Sequence, residues 1–447
     1  MTAATASGFT QETFDAFLAS RREPPWLTES RRRAWQTFLE LPLPDRQHEE
    51  WRRTDIRSLR LESFAPPLPS PFPGEAPKGY PGVRAGVPEP VLGEGVELAG
   101  RAVALDGQPY SADLDPALAA RGVLFGSLDE LVLGHSARIQ PYLLTRAVDP
   151  AYDKFAALHA ACWSGGSLLL VPKGLAVERP LGVLSAMSPD AVDLSHSLIV
   201  LEDGAEATVL AETASTAPAA GGFHCGAVEI LLGRGARLRY VNLQDWGTGV
   251  WHFAHHKALV GPDAALQWTI GALGSRLAKV NQHVALVGPG AHAQVNGVMF
   301  TDGRQHLSYH TLQHHETPHG TSDLLYKGAL QGHSRIVWRG MIKVDRDAQK
   351  TDGYQRNDNL ILSDSARADS IPGLEIEADD VKCSHGATVG RVDDEQVFYA
   401  QARGLTRREA VRVIVAGFFQ QVFDRITLPR VRHALGEAIG RRIREFE

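Results

Sequence analysis

The sequence predicts a mainly β protein, a parallel β-helix core flanked by N-terminal and C-terminal α-helical regions. From about residue 165 to 395, short runs alternate in character and are punctuated by glycine. Leu266, Trp268 and Ile270 alternate with Gln267, Thr269 and Gly271, and Ala293, Val295, Gly297 and Met299 alternate with Gln294, Asn296 and Val298, the period-2 pattern of strands. A loose internal repeat runs through the same region: LEDGAEATVL (201–210), LLGRGARLRY (231–240), LVGPDAALQW (259–268) and LVGPGAHAQV (286–295) each place Gly or Asp before Ala ahead of a strand, at spacings of 31, 28 and 27 residues. One turn of a solenoid cannot bury its inner face alone, so stacking requires turn chemistry that recurs at a near-constant period. The period is too long for one strand per turn, so several are expected; a β-sandwich with similar hairpins is the competing architecture. At both ends of the chain the apolar period changes to that of helices.

In chain order, residues 1–64 read as an N-terminal helical domain. Phe14, Phe17 and Leu18 share one face, and Ala34, Trp35, Phe38 and Leu39 share another after Pro24-Pro25 and a cap at Thr28. Residues 65–90 form a Pro-rich linker, because nine of the chain's 26 prolines fall there and such a stretch holds neither a helix nor a central strand. Residues 91–164 are a mixed α/β entry region and 165–403 the β-helix core. In the C-terminal helical domain, 404–447, Thr406 and Glu409 have capping-box spacing. Val411, Ile414, Val415, Phe418, Phe419, Val422 and Phe423 then make a stripe wider than one packing face needs. That helix has either a fully buried position or a second partner surface, and a shorter charged helix follows over 431–447.

The 447 residues, 43% hydrophobic and 22% charged, have ordinary globular composition. A net charge of −6 supplies no basic field for nucleic acid or anionic membrane. No apolar run reaches the roughly 18 residues of a membrane span, and the first twenty residues carry neither an Arg-rich face nor an apolar signal region. Three widely spaced cysteines, Cys162, Cys225 and Cys383, argue against a disulfide framework and for a reducing cytoplasm.

His315-Glu316-Thr317-Pro318-His319 matches a zinc-protease motif literally, but Pro318 and Gly320 are incompatible with the helix that motif requires. Ten of the 18 histidines fall between His252 and His319, so a metal-dependent β-fold enzyme using the histidines of 252–319 is the rival functional reading. The dipeptide Gly-Lys occurs nowhere, which excludes a phosphate-binding Walker loop and leaves any ATP hydrolysis to another chain. Cys383-x-His385 puts a thiol and an imidazole on one face of a strand with Cα atoms ~6.5–7 Å apart. On spacing alone the pair is a metal or cluster site, an activated nucleophile, or two packing residues.

The stretch AQKTDGYQRNDNLILSDSARADSIPGLEIEADDVKCSHGATVGRVDDEQVFYAQARGLTRREAVRVIVAGFFQQVF (348–423) closely resembles the SufB/SufD family of iron–sulfur cluster assembly proteins. GSLLLVPKGLAVERPL and EPPWLTESRRRAWQTFLELPLP through EEWRRTD resemble the same family. The resemblance implies a right-handed parallel β-helix between helical regions. Ala400 stands where SufB carries a cysteine, and Thr427-Leu428-Pro429-Arg430 stands where SufB has an acidic residue; both departures place the chain nearer SufD. For function, the resemblance implies a non-enzymatic scaffold subunit of a SufBCD-type complex, cytoplasmic, paired with a SufB-like paralogue, and assisting iron entry. A possible homodimer is expected when the chain is isolated. A cluster usually takes four thiolate or imidazole ligands, and one strand here offers at most Cys383 and His385. No cofactor is therefore expected to bind stably to this chain alone, and a nascent iron–sulfur cluster is expected at an interface shared with the partner. By resemblance His385 belongs to that interface, with Cys383 the second candidate. By the same resemblance, the helix bearing Phe418, Phe419, Val422 and Phe423 is where a SufC-like ATPase docks.

Overall fold

A computed structural model describes residues 8–68 and 87–443. Most of the expected Pro-rich linker, 69–86, thus lies outside the described residues. The core is a parallel β-solenoid of about eight turns. Each turn gives one strand to each of two sheets, from Gly166–Val171 and Leu181–Met187 to Arg367–Ile376 and Lys382–Arg391. In the first sheet Glu206 pairs with Arg237, Arg237 with Ala265 and Ala265 with His292. Those steps reproduce the spacing of the sequence repeat.

The repeat marks one corner of the solenoid. Gly204, Gly235, Asp263, Gly290, His319 and Lys350 occupy it on successive turns, with φ of 66°, 65°, 56°, 72°, 61° and 63°. That left-handed conformation is where glycine costs least. Its purpose here is a ladder along the solenoid. The N–H of Gly204 donates to the Arg234 carbonyl at 2.7 Å, that of Gly235 to Pro262 at 2.8 Å, that of Asp263 to Pro289 at 3.0 Å and that of Lys350 to Asp380 at 2.7 Å. The alanine after each of the first four corners, Ala205, Ala236, Ala264 and Ala291, is buried, because the tight bend leaves room for little more than a methyl group. Inward-facing residues stack in register between the sheets. Val209, Tyr240, Trp268, Val295 and Leu324 form one such column, each buried aliphatic side chain contributing roughly 1.5–3 kcal/mol.

The entry region closes the first end of the stack. Gly100–Leu105 pairs parallel with Leu181–Met187 and antiparallel with Gln108–Leu114, while Leu124–Ser127 pairs antiparallel with Gly166–Val171. Helices Gln11–Ala19 and Pro25–Glu40 pack near the outer face of the second sheet through an aromatic cluster that includes Phe14 on Trp35 (4.4 Å) and Phe155 on Phe253 (3.9 Å). The second helix begins at Pro25 and not after Thr28, since proline at the first helical position loses no hydrogen bond and has its φ preset.

The C-terminal helices Arg407–Phe423 and Pro429–Gly440 cover the outer face of the first sheet. The expected capping box is present, with Thr406 Oγ1 accepting from the Glu409 amide and Glu409 accepting from that of Thr406. A helix at Asp394–Ala402 precedes them, inside the stretch expected to be β core. No described helix is long and apolar enough to cross a membrane.

Lys279 lies under the N-terminal layer, its Nζ 5.5 Å from the Trp51 ring, without a hydrogen-bond partner and only 2% exposed. Burial pushes this ammonium down to about 7, against the pull of Glu50 and Asp153. Between about pH 7 and pH 10 the unfolded chain therefore holds this proton more tightly than the folded one, and this residue's contribution to stability rises with pH. Lys279→Met is expected to raise the urea midpoint at pH 7, and its advantage should shrink by pH 9.5. A variant less stable than the parent at pH 7 would contradict the buried charge.

Candidate functional site

Strands Lys382–Arg391 and Arg367–Ile376 are the last of their sheets, and among the described residues neither has a strand on its far side. Residues that would be core in any earlier turn are uncovered here. Ile342 and Val344 are buried, whereas Leu374 and Ile376, stacked on them in register, are 38% and 40% exposed. On the other sheet Asn359 is buried and its partner Val389 is 53% exposed. The solenoid ends in an open apolar rim with two unpaired backbone edges.

Cys383 and His385 sit on that rim. They pair with Gly353 and Gln355 of the strand Asp352–Ile361, and the period of the strand puts both in the inward-facing row. His385 is exposed although Gln355 beside it is wholly buried. Cys383 is half-buried and packs against a small cluster of Ile342, Val344, Ala348 and Ala378. Burial, with Asp352 adding to it, pushes the Cys383 thiol up, opposed by a hydrogen bond from the Gly353 backbone. The thiol is therefore protonated near neutral pH, which removes the activated nucleophile from the three readings of the pair. Among the described residues no three His, Cys, Asp or Glu side chains converge to hold a metal ion.

Of the histidines of 252–319, those on the second sheet are divided between its two faces, while His292 begins a strand of the first sheet and His319 lies in a corner. His252, His256 and His315 point into the solenoid: His252 Nδ1 is 2.7 Å from His224 Nδ1, His256 stacks on Trp268, and His315 Nε2 is 2.8 Å from Ser322 Oγ. His255 and His314 point outward to Asp153 (3.2 Å) and Asp345 (2.9 Å). Alternation along a strand separates neighbours such as His314 and His315, so the sequence cluster is not a spatial one. His315 ends a strand and His319 occupies a corner, with no helix between them.

The expected docking stripe needs correction. Phe419, Val422 and Phe423 are buried against this chain's own Leu243, Val298, Phe300 and Leu325. Phe418 is half-buried, with Lys327 Nζ over its ring at 4.7 Å and bonded to its carbonyl at 2.9 Å. The stripe is wide because the helix lies between the sheet and its neighbouring helices. The exposed apolar surface is elsewhere: Phe398 is 73% exposed, and Tyr399 and Val413 are each 61% exposed. A sequence signal for it existed, since Val397-Phe398-Tyr399 are consecutive in a nine-residue helix and three adjacent positions cannot all face one core.

Comparison with known proteins agrees with this architecture. A family profile described as the SUF system FeS cluster assembly, SufBD core domain, matches residues 184–418. A SufBD family protein of Mycobacterium tuberculosis is 34% identical over 296 residues, covering 64% of this chain and 73% of the relative. A SufBD family protein of Staphylococcus epidermidis is 25% identical and SufB of Bacillus subtilis 27% identical, each covering 92% of this chain and 88% of the relative. The profile spans all but the beginning of the stacked strands, the open rim and most of the first C-terminal helix, and the chain belongs to the SufBD family of iron–sulfur cluster assembly proteins.

Proposed function

We propose that this chain is a non-catalytic, SufD-like scaffold subunit of a SufBCD-type complex, pairing end to end with a SufB-like paralogue and docking a SufC-like ATPase. The observation that carries this reading is the open final turn, where two unpaired strand edges and an apolar rim surround an exposed imidazole. An exposed edge is a template for another strand, and a second solenoid end placed against it would bury Leu374, Ile376 and Val389. A second copy of this chain can occupy the rim when the paralogue is absent. His385 and Cys383 supply at most two of a cluster's four usual ligands, so the partner supplies the rest. The nascent cluster, with iron entering at the same place, is cargo held between the chains. For the ATPase, the exposed aromatic pair Phe398 and Tyr399 with Val413 takes the place of the buried phenylalanines.

Four variants test the parts of this reading. His385→Ala removes an exposed side chain, so thermal stability should change by less than about 0.5 kcal/mol, while cluster yield on reconstitution of the purified three-component complex falls clearly. Cys383→Ser should have the weaker effect; equal cluster loading by the parent and the His385→Ala complex, at matched folded protein, would end the site assignment. Leu374→Lys with Val389→Lys should leave the isolated chain folded and abolish copurification with the SufB-like chain, and retained binding would move the interface elsewhere. Phe398→Asp should weaken binding of the SufC-like ATPase by about tenfold or more, because buried aromatic anchors commonly carry ~2 kcal/mol or more each. Unchanged affinity, measured by titration calorimetry, would rule out that surface.

A further inference from the structure

The outer face of the second sheet carries a cleft of about 290 Å³ that the open rim does not use. Its floor is built from outward side chains in register on successive strands. Lys257, His283, Leu312 and Met341 form one row, and the row beside it includes His255 and Asn281. Val148 and Tyr152, from outside the sheet, also line it.

Of the acids around the cleft, two accept hydrogen bonds from neutral groups of this chain and the third is ion-paired. Glu50 accepts from the Tyr152 hydroxyl at 2.6 Å, Asp149 from the Ala151 amide at 2.9 Å, and Glu375 holds Lys343 at 2.8 Å. Arg339 is paired with Glu49 at 2.8 Å. Lys257 has no ion-pair partner among the described residues. His283 Nε2 and Asn281 Oδ1 are buried without a hydrogen-bond partner, a condition that costs ~1–3 kcal/mol per group unless something fills it. Burial, with Lys257 and His314 nearby, holds the His283 ring well below its usual range, at about 3. The ring is neutral and offers one N–H and one lone pair. The cleft therefore offers a half-buried ammonium without an ion-pair partner, beside an unpartnered imidazole edge, an unpartnered carboxamide oxygen and apolar floor residues.

We propose that this cleft binds a small organic anion with a flat apolar body, its carboxylate or phosphate-ester group at Lys257 and His283 and its body on Leu312 and Met341 beneath Tyr152. An inorganic anion would leave the apolar floor uncovered, and a neutral ligand would leave Lys257 unpaired. The site is separate from the open rim and does not depend on the role proposed there.

The probe is 2-naphthoate, titrated calorimetrically into the full chain, with acetate (charge without body) and 2-naphthylmethanol (body without charge) as comparators. Naphthoate should bind saturably and about tenfold or more tighter than either comparator, and Lys257→Met should remove about tenfold of that affinity. Met341→Trp, which fills the floor, should abolish binding, whereas Leu374→Lys at the open rim should leave it unchanged. The His283 ring resonances should shift on titration. Overturning results are an absence of saturable binding to the parent chain, equal binding of the alcohol, or an affinity indifferent to Lys257→Met. If Met341→Trp does not fold, Lys257→Met and the comparators still decide the matter.

Discussion

The structure depends on backbone hydrogen bonding between each turn and the turns before and after it. Strand pairing supplies this along the sheets, and the corner ladder from Gly204 to Lys350 supplies it at the bends. Buried peptide groups left unpaired are costly, so the stack propagates at a fixed register and a defect in one turn is felt by its neighbours. The same bonding decides the ends. At the first end a hairpin and a short antiparallel strand close the stack. At the last end the pairing stops, and the side that a further turn would cover stays available.

Both outer faces of the solenoid are used to hold helices, and both bury charged groups among apolar ones. The first sheet presents Leu243, Val298, Phe300 and Leu325 to the C-terminal helices, with Lys327 and Asp358 buried beside them 3.8 Å apart. The face under the N-terminal layer mixes Trp51, Phe155 and Phe253 with Lys279 and the outward histidines. Burial there removes charge from basic groups, lowering Lys279 and holding His283 neutral. Two carboxylates buried near these surfaces serve as clamps. Glu212 accepts from the amides of Val91, Leu92 and Gly93 at 2.7, 2.7 and 3.3 Å, and Glu229 from those of Leu144 and Val148 at 2.8 and 3.0 Å. They fix loops of the entry region onto the sheets.

The thiol and imidazole of the final strand have different standing although they share a row. Cys383 leans on Ile342 and Ala378 and keeps its proton. His385, two residues further along the strand, has no strand above it among the described residues and is exposed. A ligand contribution from the thiol requires that something displace its proton, as a metal does on binding.

The sequence by itself determined the strand period, the corner spacing of 31, 28 and 27 residues, the capping box at Thr406 and the adjacency of Cys383 and His385 on one strand face. These are local properties, set by side-chain alternation, left-handed corners and hydrogen bonds within a few residues. Tertiary structure alone decided which apolar residues are covered. Phe419 and Leu374 are equally apolar in the sequence, yet one is buried beneath a helix layer and the other exposed at a rim. The histidines between 252 and 319 looked like one cluster, but those on the second sheet fall into two sets on opposite faces and His292 lies on the first sheet, because a strand sends consecutive side chains in opposite directions and stacking aligns residues a full turn apart. Burial and convergence depend on which turn is last and which helix lies on which sheet, and no window of sequence carries that.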